Sequence, residues 1–360
     1  MKRGLLALAL AVAMVLTGCS AMLERSYVSS TTHLDYSVAE DSSILRVETY
    51  QGLVNALLYF VNQHASTGTL RLYNYTGDVE ADLESACHEV TTEDPLGVFC
   101  VRSMRYDSTR ILTYYEVDVR ITYSRSAQVV SSIQTVSGLS GLRSELTRAI
   151  STRQNQSLSR VSYFSGDEEM VQALFWQAYY GIPRLVLSPP QISVSLYPST
   201  GSQRIVEVNI TWPDGQNGLE EYAKAVDAAV EQLLERTSSE TYTVEQLLEL
   251  VAQEAVFSST GSLTALDALS GKASSDQGLL LGLEAVLQGA DIEANMVVGT
   301  FRGNPTTWLI VSTPQGYRHL LAQSLHSDQD LQLYTDQQLT DQGYTWPTAL
   351  YPACLESTEG

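Results

Sequence analysis

The sequence predicts an α+β protein made of two tandem α/β repeat units followed by a further α+β domain. Three observations carry this. Two separated blocks recur at one constant offset, strand-like alternation stands beside helical spacing in each block, and one apolar helix after Gly271 precedes a run of strand-like segments. The 360 residues suffice for two or three domains of ~100 to 200 residues each, and a hydrophobic content of 44% can fill ordinary cores. The spacing places the first unit at 44–150, the second at 151–236 and the last domain at 237–360.

The chain opens with MKRGLLALALAVAMVLTGCS, in which Lys2 and Arg3 precede an apolar run from Leu5 to Leu16. That run is too short to span a bilayer and is built like the apolar segment of a signal peptide, here residues 1–18. Its ending, Leu16-Thr17-Gly18-Cys19, resembles the bacterial lipobox, which implies that Cys19 is diacylated and becomes the new N-terminus. No later stretch reaches the ~18 consecutive apolar residues of a membrane span. The expected arrangement is therefore a lipid-anchored protein on the extracytoplasmic face of the cell membrane, held by two or more acyl chains. Residues 19–43 are polar and rich in Ser and Thr, as in a tether.

The formal charge of −20 becomes −22 without Lys2 and Arg3, which disfavours nucleic acid and bare anionic lipid as partners. Beyond Cys19 only Cys87, Cys100 and Cys354 remain. Export permits a bridge between Cys87 and Cys100, but the odd count argues against a disulfide framework.

A helical pattern at Tyr50 to Val61 leads into the repeat. Tyr75-Thr76-Gly77-Asp78 recurs as Phe164-Ser165-Gly166-Asp167, and Val119-Arg120-Ile121-Thr122-Tyr123 recurs as Val208-Asn209-Ile210-Thr211-Trp212, both at an offset of 89 residues. Each copy is expected to run strand, Gly-Asp turn, helix, hairpin, helix. In the first copy these fall at Leu70 to Tyr75, Val79 to Val90, Val98 to Tyr123 with its turn at Asp107-Ser108, and Gln128 to Ile150. In the second they fall at Arg160 to Phe164, Glu168 to Tyr180, Gln191 to Trp212 with its turn at Pro198 to Gly201, and Leu219 to Arg236. Residues 44 to 236 contain no Gly-rich phosphate loop, Ser-centred elbow or metal-spaced histidines, and His33, His64 and His88 stand alone.

Thr243-Val244-Glu245-Gln246 is a capping box that starts a helix with one apolar face. Glycine-rich loops at Gly261 and Gly271 lead to GKASSDQGLLLGLEAVL, an apolar helix behind a polar Ser-Ser-Asp step. Strand-like segments follow at Asn295 to Phe301, Thr307 to Ser312 and Tyr317 to Leu321, giving one buried helix on an antiparallel sheet.

From about Thr243 to Cys354 this pattern resembles the transglutaminase-like superfamily. That family begins its core helix with a catalytic cysteine and follows it with a strand entry, a His-x-Trp element and a strand ending in Asp. The helix matches at Leu283-Glu284-Ala285-Val286-Leu287, the strand entry at Ile292 to Gly299, and the tryptophan at Trp308. The catalytic positions do not match. The nucleophile falls on Ser275 or Asp276 according to register, the histidine on Thr306 and the acid on Leu321.

The family chemistry needs a thiol acidified at a helix N-terminus, a histidine to take its proton and an acid to orient that histidine. Here the triad is degenerate, and Ser275 and Asp276 read as helix caps. The resemblance therefore implies a catalytically inactive domain, a pseudoenzyme that binds or scaffolds at the cell envelope. An envelope protein, a peptide or peptidoglycan would be its partner, with no nucleic acid, cofactor or metal. The alternative is a divergent serine hydrolase or peptidase that pairs Ser275 with His319, which shares a strand face with Leu321.

Overall fold

The computed structural model describes residues 43–213, 218–236, 242–326 and 331–356. The Cys19 site lies outside them. The chain is α+β, with four separate sheets among the described residues. Among the described residues no helix is long and apolar enough to cross a membrane.

The first sheet is built from β1 (Ile44–Val47), β2 (Thr67–Tyr73), β3 (Val101–Ile111) and β4 (Tyr114–Tyr123) in the order β1-β2-β4-β3. Helices α1 (Tyr50–Asn62), α2 (Val79–Thr92) and α3 (Pro95–Cys100) accompany it, and the short α4 (Ala127–Ser131) follows. The second sheet repeats the arrangement with β5 (Gln134–Ser137), β6 (Gln156–Ser162), β7 (Gln191–Tyr197) and β8 (Gln203–Thr211) in the order β5-β6-β8-β7. Helices α5 (Gly138–Ser151) and α6 (Glu168–Tyr180) go with it. In both sheets the outer short strand runs parallel to its neighbour and the remaining pairings are antiparallel.

This pairing differs from the sequence expectation in two places. Residues 128–150, expected as the closing helix of the first unit, contain β5 and most of α5, and β5 is hydrogen bonded to β6. Each unit therefore opens with a strand and helix, and the division falls near residue 132 instead of 150. Gln134-Thr135-Val136-Ser137 has one apolar side chain and so no alternation to mark it as a strand. Asp107 and Ser108 likewise lie within β3, opposite Asp118 and Val117, and the hairpin turns at Leu112-Thr113.

The 89-residue equivalence extends to backbone detail. Asp78 caps α2 by accepting from Ala81 N, and Asp167 caps α6 by accepting from Met170 N. Left-handed backbone occurs at His64 and again at Arg153, and at Asn74 and again at Tyr163. His64 stacks on Tyr123 at 3.8 Å between ring centroids, and the Arg153 guanidinium lies 4.1 Å from the Trp212 ring centroid.

Helix α7 (Leu219–Leu234), expected to close the second unit, packs instead on the C-terminal domain, with Val230 and Leu234 against Gly289, and α8 (Val244–Glu254) follows with the expected Thr243–Gln246 capping box. Then come β9 (Val256–Ser262), α9 (Ala265–Leu269), β10 (Ala273–Ser274) and α10 (Asp276–Gly289). The strands β11 (Ala294–Phe301), β12 (Asn304–Thr313), β13 (Gly316–Leu320), β14 (Leu333–Tyr334) and β15 (Tyr344–Thr345) form an antiparallel sheet in the order β14-β13-β12-β11-β15, with α11 (Asp336–Gln342) between the last two in sequence. Helix α10 is buried on every face from Gly278 to Leu287, which is why its sequence shows an apolar run, interrupted only by the buried Glu284, and not a stripe.

Two hydrophobic cores result. One belongs to the first unit, with Leu158 and Ile205 added from the second. The other runs continuously from α5, α6 and the second sheet into α10 and the last sheet. The second unit and the C-terminal domain thus bury their apolar faces against each other, and side chains of α6 reach the mouth of α10.

Candidate functional site

The N-terminus of α10 opens into a cleft of about 460 Å³. Ser275 is the cap: its Oγ accepts from Gly278 N at 3.3 Å and donates to Ser262 O at 3.1 Å. Two glycines allow β9 to press against this helix end. A Cβ on Gly278 would lie 2.4 Å from Ser262 O, and one on Gly261 would lie 2.6 Å from the Ser274 backbone. Asp276, first residue of the helix, turns its carboxylate outward, where Oδ1 sits 2.8 Å from His326 Nε2. Its negative charge complements the helix N-terminus. The ring of His326 packs on Phe257 at 4.1 Å between centroids.

Trp176 and Tyr180 of α6 form the apolar wall, and Thr306 lies on the β11–β12 side. Burial raises the Tyr180 phenol above its ordinary pKa, partly offset by a hydrogen bond with Gln277. The chemical character is that of an aromatic cleft with a polar rim. Its lining holds a hydroxyl already committed as donor and acceptor and a carboxylate paired with His326, which is not itself part of the lining, and no thiol among the described residues.

Three of the residues singled out from sequence therefore meet: Ser275, Asp276 and Thr306 line one cleft. Of the two expected caps only Ser275 bonds the helix backbone, because it is the last residue before the helix. Leu321 does not join them and is buried in the core at the start of the 3-10 turn Ala322–Leu325. His326, which sequence inspection missed, adjoins the cleft through its contacts with Asp276 and Phe257. It lies 50 residues from its partner Asp276, beyond the 3-10 turn, and no local spacing connects the two.

His319 is engaged elsewhere, so the Ser275–His319 pairing is corrected. Its Nδ1 accepts from Trp308 Nε1 at 2.9 Å, and its Nε2 lies 2.8 Å from Asp336 Oδ1. With Nδ1 used as an acceptor, the neutral ring carries its proton on Nε2 and donates it to Asp336. Burial holds the imidazole pKa below its ordinary value, with Asp336 opposing. Trp308 and His319 are fully buried, and the edge of Trp346 covers the imidazole at 4.8 Å.

Cys354 closes the same cluster: its backbone N–H donates to Asp336 Oδ2 at 3.1 Å, and the possible ligand atoms of His319, Asp336 and Cys354 all lie within 4.8 Å of one another. These residues do not suit a metal. Coordination through Nε2 would place the ring proton on Nδ1, against the Trp308 N–H. Burial also pushes the Cys354 thiol up to about 12 and so disfavours the thiolate. Cys87 and Cys100 are free, buried thiols likewise raised to about 12, chiefly by burial.

No family model matches the chain, and no curated protein matches it. Two chains of solved structures do. One is the crystal structure of a TGase, aligned over 52% of this chain and 57% of that one at 14% identity, with a TM-score of 0.24. The aligned part is thus less than two thirds of the TGase chain, and the structural similarity is weak.

Proposed function

We propose that the protein is a lipid-anchored, extracytoplasmic binding or scaffolding module whose transglutaminase-like domain does no chemistry. The observation that carries this reading is the state of Ser275. The residue at the mouth of the core helix is an alcohol, and that alcohol is consumed in joining Ser262 to Gly278. A cleft built around a structural cap and three aromatic side chains is suited to holding a ligand and not to attacking one. The lipobox-like Leu16 to Cys19 supports attachment through Cys19, and an envelope protein, a peptide or peptidoglycan is the partner class in reach.

The test uses the protein from Ser20 onward. Amine incorporation, deamidation and peptide hydrolysis should all be absent, while a pull-down from envelope fractions should enrich a partner that Trp176→Ala loses. Labelling of Ser275 by a serine-reactive phosphonate, with turnover abolished by His326→Ala, would replace this reading with a hydrolase. For the anchor, Cys19→Ala should remove acyl label and membrane retention; equal retention without label in the unaltered protein would refute it.

A further inference from the structure

The longest edge strand among the described residues is β3, at one side of the first sheet. It has 11 residues and is paired only with β4, so its outer row of backbone groups meets no strand among the described residues. A free row of N–H and C=O groups is a template for another strand, and proteins ordinarily shorten such edges or place proline or lysine on them. The opposite edge of the same sheet, β1, is kept to 4 residues. Strand β3 has no such protection: it contains neither proline nor lysine.

Its charges are poorly answered inside the sheet. Arg105 stands directly opposite Arg120, and Asp107 directly opposite Asp118, and like charges in these positions destabilise a strand pair. Asp107 finds relief in a diagonal contact with Arg120 at 3.3 Å, both side chains being well exposed. Arg105 is exposed and has no carboxylate within ion-pair distance among the described residues. An arginine and an aspartate two residues apart, each facing its own kind across β4, therefore lie on a strand whose other side is open.

When a strand pairs antiparallel with its own copy about a twofold axis, one residue faces itself and its neighbours face each other in reversed order. An axis at Arg105 sets arginine against arginine, and an axis at Asp107 sets aspartate against aspartate. An axis at Tyr106 removes both conflicts, because Arg105 of each copy then faces Asp107 of the other. In that register Met104 faces Ser108 and Ser103 faces Thr109. Its one like-charge pairing, Arg102 with Arg110, falls at the bulge between Val101 and Ser103, where Arg102 has left the ladder.

We infer that β3 is a dimerisation edge, along which two copies of the chain pair antiparallel about an axis at Tyr106 and join their four-stranded first sheets into one. The backbone ladder holds the copies together, and the two Arg105–Asp107 pairs select the register. The edge lies in the first unit, apart from the α10 cleft and independent of what that cleft binds.

The experiment is sedimentation equilibrium of the full chain in density-matched detergent. The unaltered chain should dimerise reversibly. Arg105→Asp opposes two aspartates in each half of the pair and Asp107→Arg opposes two arginines, so each alone should weaken association by about tenfold or more. Mixed in equal amounts, the two variants should form a heterodimer, since every aspartate then meets an arginine. The double variant Arg105→Asp, Asp107→Arg should dimerise as the unaltered chain does. Within one chain Arg105→Asp faces Arg120 and Asp107→Arg faces Asp118, so thermal melts should show both single variants folded. Arg46→Asp, on the opposite edge strand, should leave dimerisation unchanged. A monomeric unaltered chain at concentrations on the order of 0.1 mM, undiminished association of either single variant, a mixture that stays monomeric, a monomeric double variant, or equal loss in Arg46→Asp would overturn the assignment.

Discussion

The C-terminal domain contains two histidine–aspartate pairs of the same length, 2.8 Å, and they do different things. In the His319–Asp336 pair the imidazole is completely buried, whereas the His326 and Asp276 side chains are 26% and 49% exposed. The decisive difference is the third partner. Trp308 fills the remaining nitrogen of His319 and leaves it no chemistry, while His326 has a phenyl ring on its face and rests on two residues, Phe257 and Asp276, that line the cleft. A short His–Asp distance therefore does not identify a working site. What surrounds the second ring nitrogen does.

The contrast can be broken most directly at the tryptophan. Trp308→Ala should lower stability by about 3 to 5 kcal/mol in urea unfolding, through lost burial and a cavity under Trp346. Phe257→Ala, on the exposed pair, should change it by less than about 1 kcal/mol. Comparable losses at the two sites would remove the distinction between framework and cleft.

The aspartates form the next comparison. Asp336→Ala strands the His319 Nε2–H and the Cys354 N–H, and should destabilise by about 1 to 3 kcal/mol. Asp276→Ala removes a solvent-screened pair at the helix mouth and should cost at most about 1 kcal/mol. Denaturation midpoints of the two variants, measured side by side, decide this.

Acid and base sharpen the same contrast. Because burial depresses the His319 pKa, the unfolded chain binds the proton more readily. The stability this group contributes is present above its unfolded pKa of about 6.5 and is lost as the pH falls through that value toward the folded one. Glu284 acts in the opposite sense, since its folded pKa is raised. Its contribution is complete below the ordinary glutamate range and is lost as the pH rises from there toward the folded value. Each group can tilt the stability curve by at most about 1.4 kcal/mol per pH unit. Urea midpoints from pH 5 to 8 should rise less steeply in His319→Gln and fall less steeply in Glu284→Gln. Unchanged profiles would mean that neither proton is linked to folding.

The smallest effect is at the cap. Ser275→Ala should cost about 1 kcal/mol, as loss of a helix cap does, and should leave the proposed partner's capture in the pull-down unchanged. A drop in binding without a drop in stability would move Ser275 from framework to recognition.

Much of this architecture was legible in the sequence, for reasons that also explain what was not. The Gly77/Gly166 turns and the Val119 and Val208 strands kept their spacing because each is tied to a fixed backbone event, a helix start or a strand at the sheet centre. The opening strand of the second unit stayed hidden because parallel pairing uses its backbone and asks little of Gln134, Thr135 or Ser137. Ser275 could be placed from local spacing, since a cap needs only the next three residues. His326 and Asp336 could not, because their partners, Asp276 and His319, lie 50 and 17 residues away and meet them only after the sheet and its 3-10 turn have formed.

The stretch from Tyr344 to Cys354 sets the order in which the protein can be completed. It supplies β15 to the sheet, Trp346 over His319, the Tyr351 hydroxyl to Val298 N, and Leu350 O to Gln177 in the second unit. The first unit has its own core and can close as soon as it has emerged, but the second unit shares its core with a segment some 140 residues farther along. Until that stretch has joined the sheet the Gln177 face of α6 lacks its clasp, so a chain cut before Tyr344 would leave the second unit with apolar surface and no partner for it.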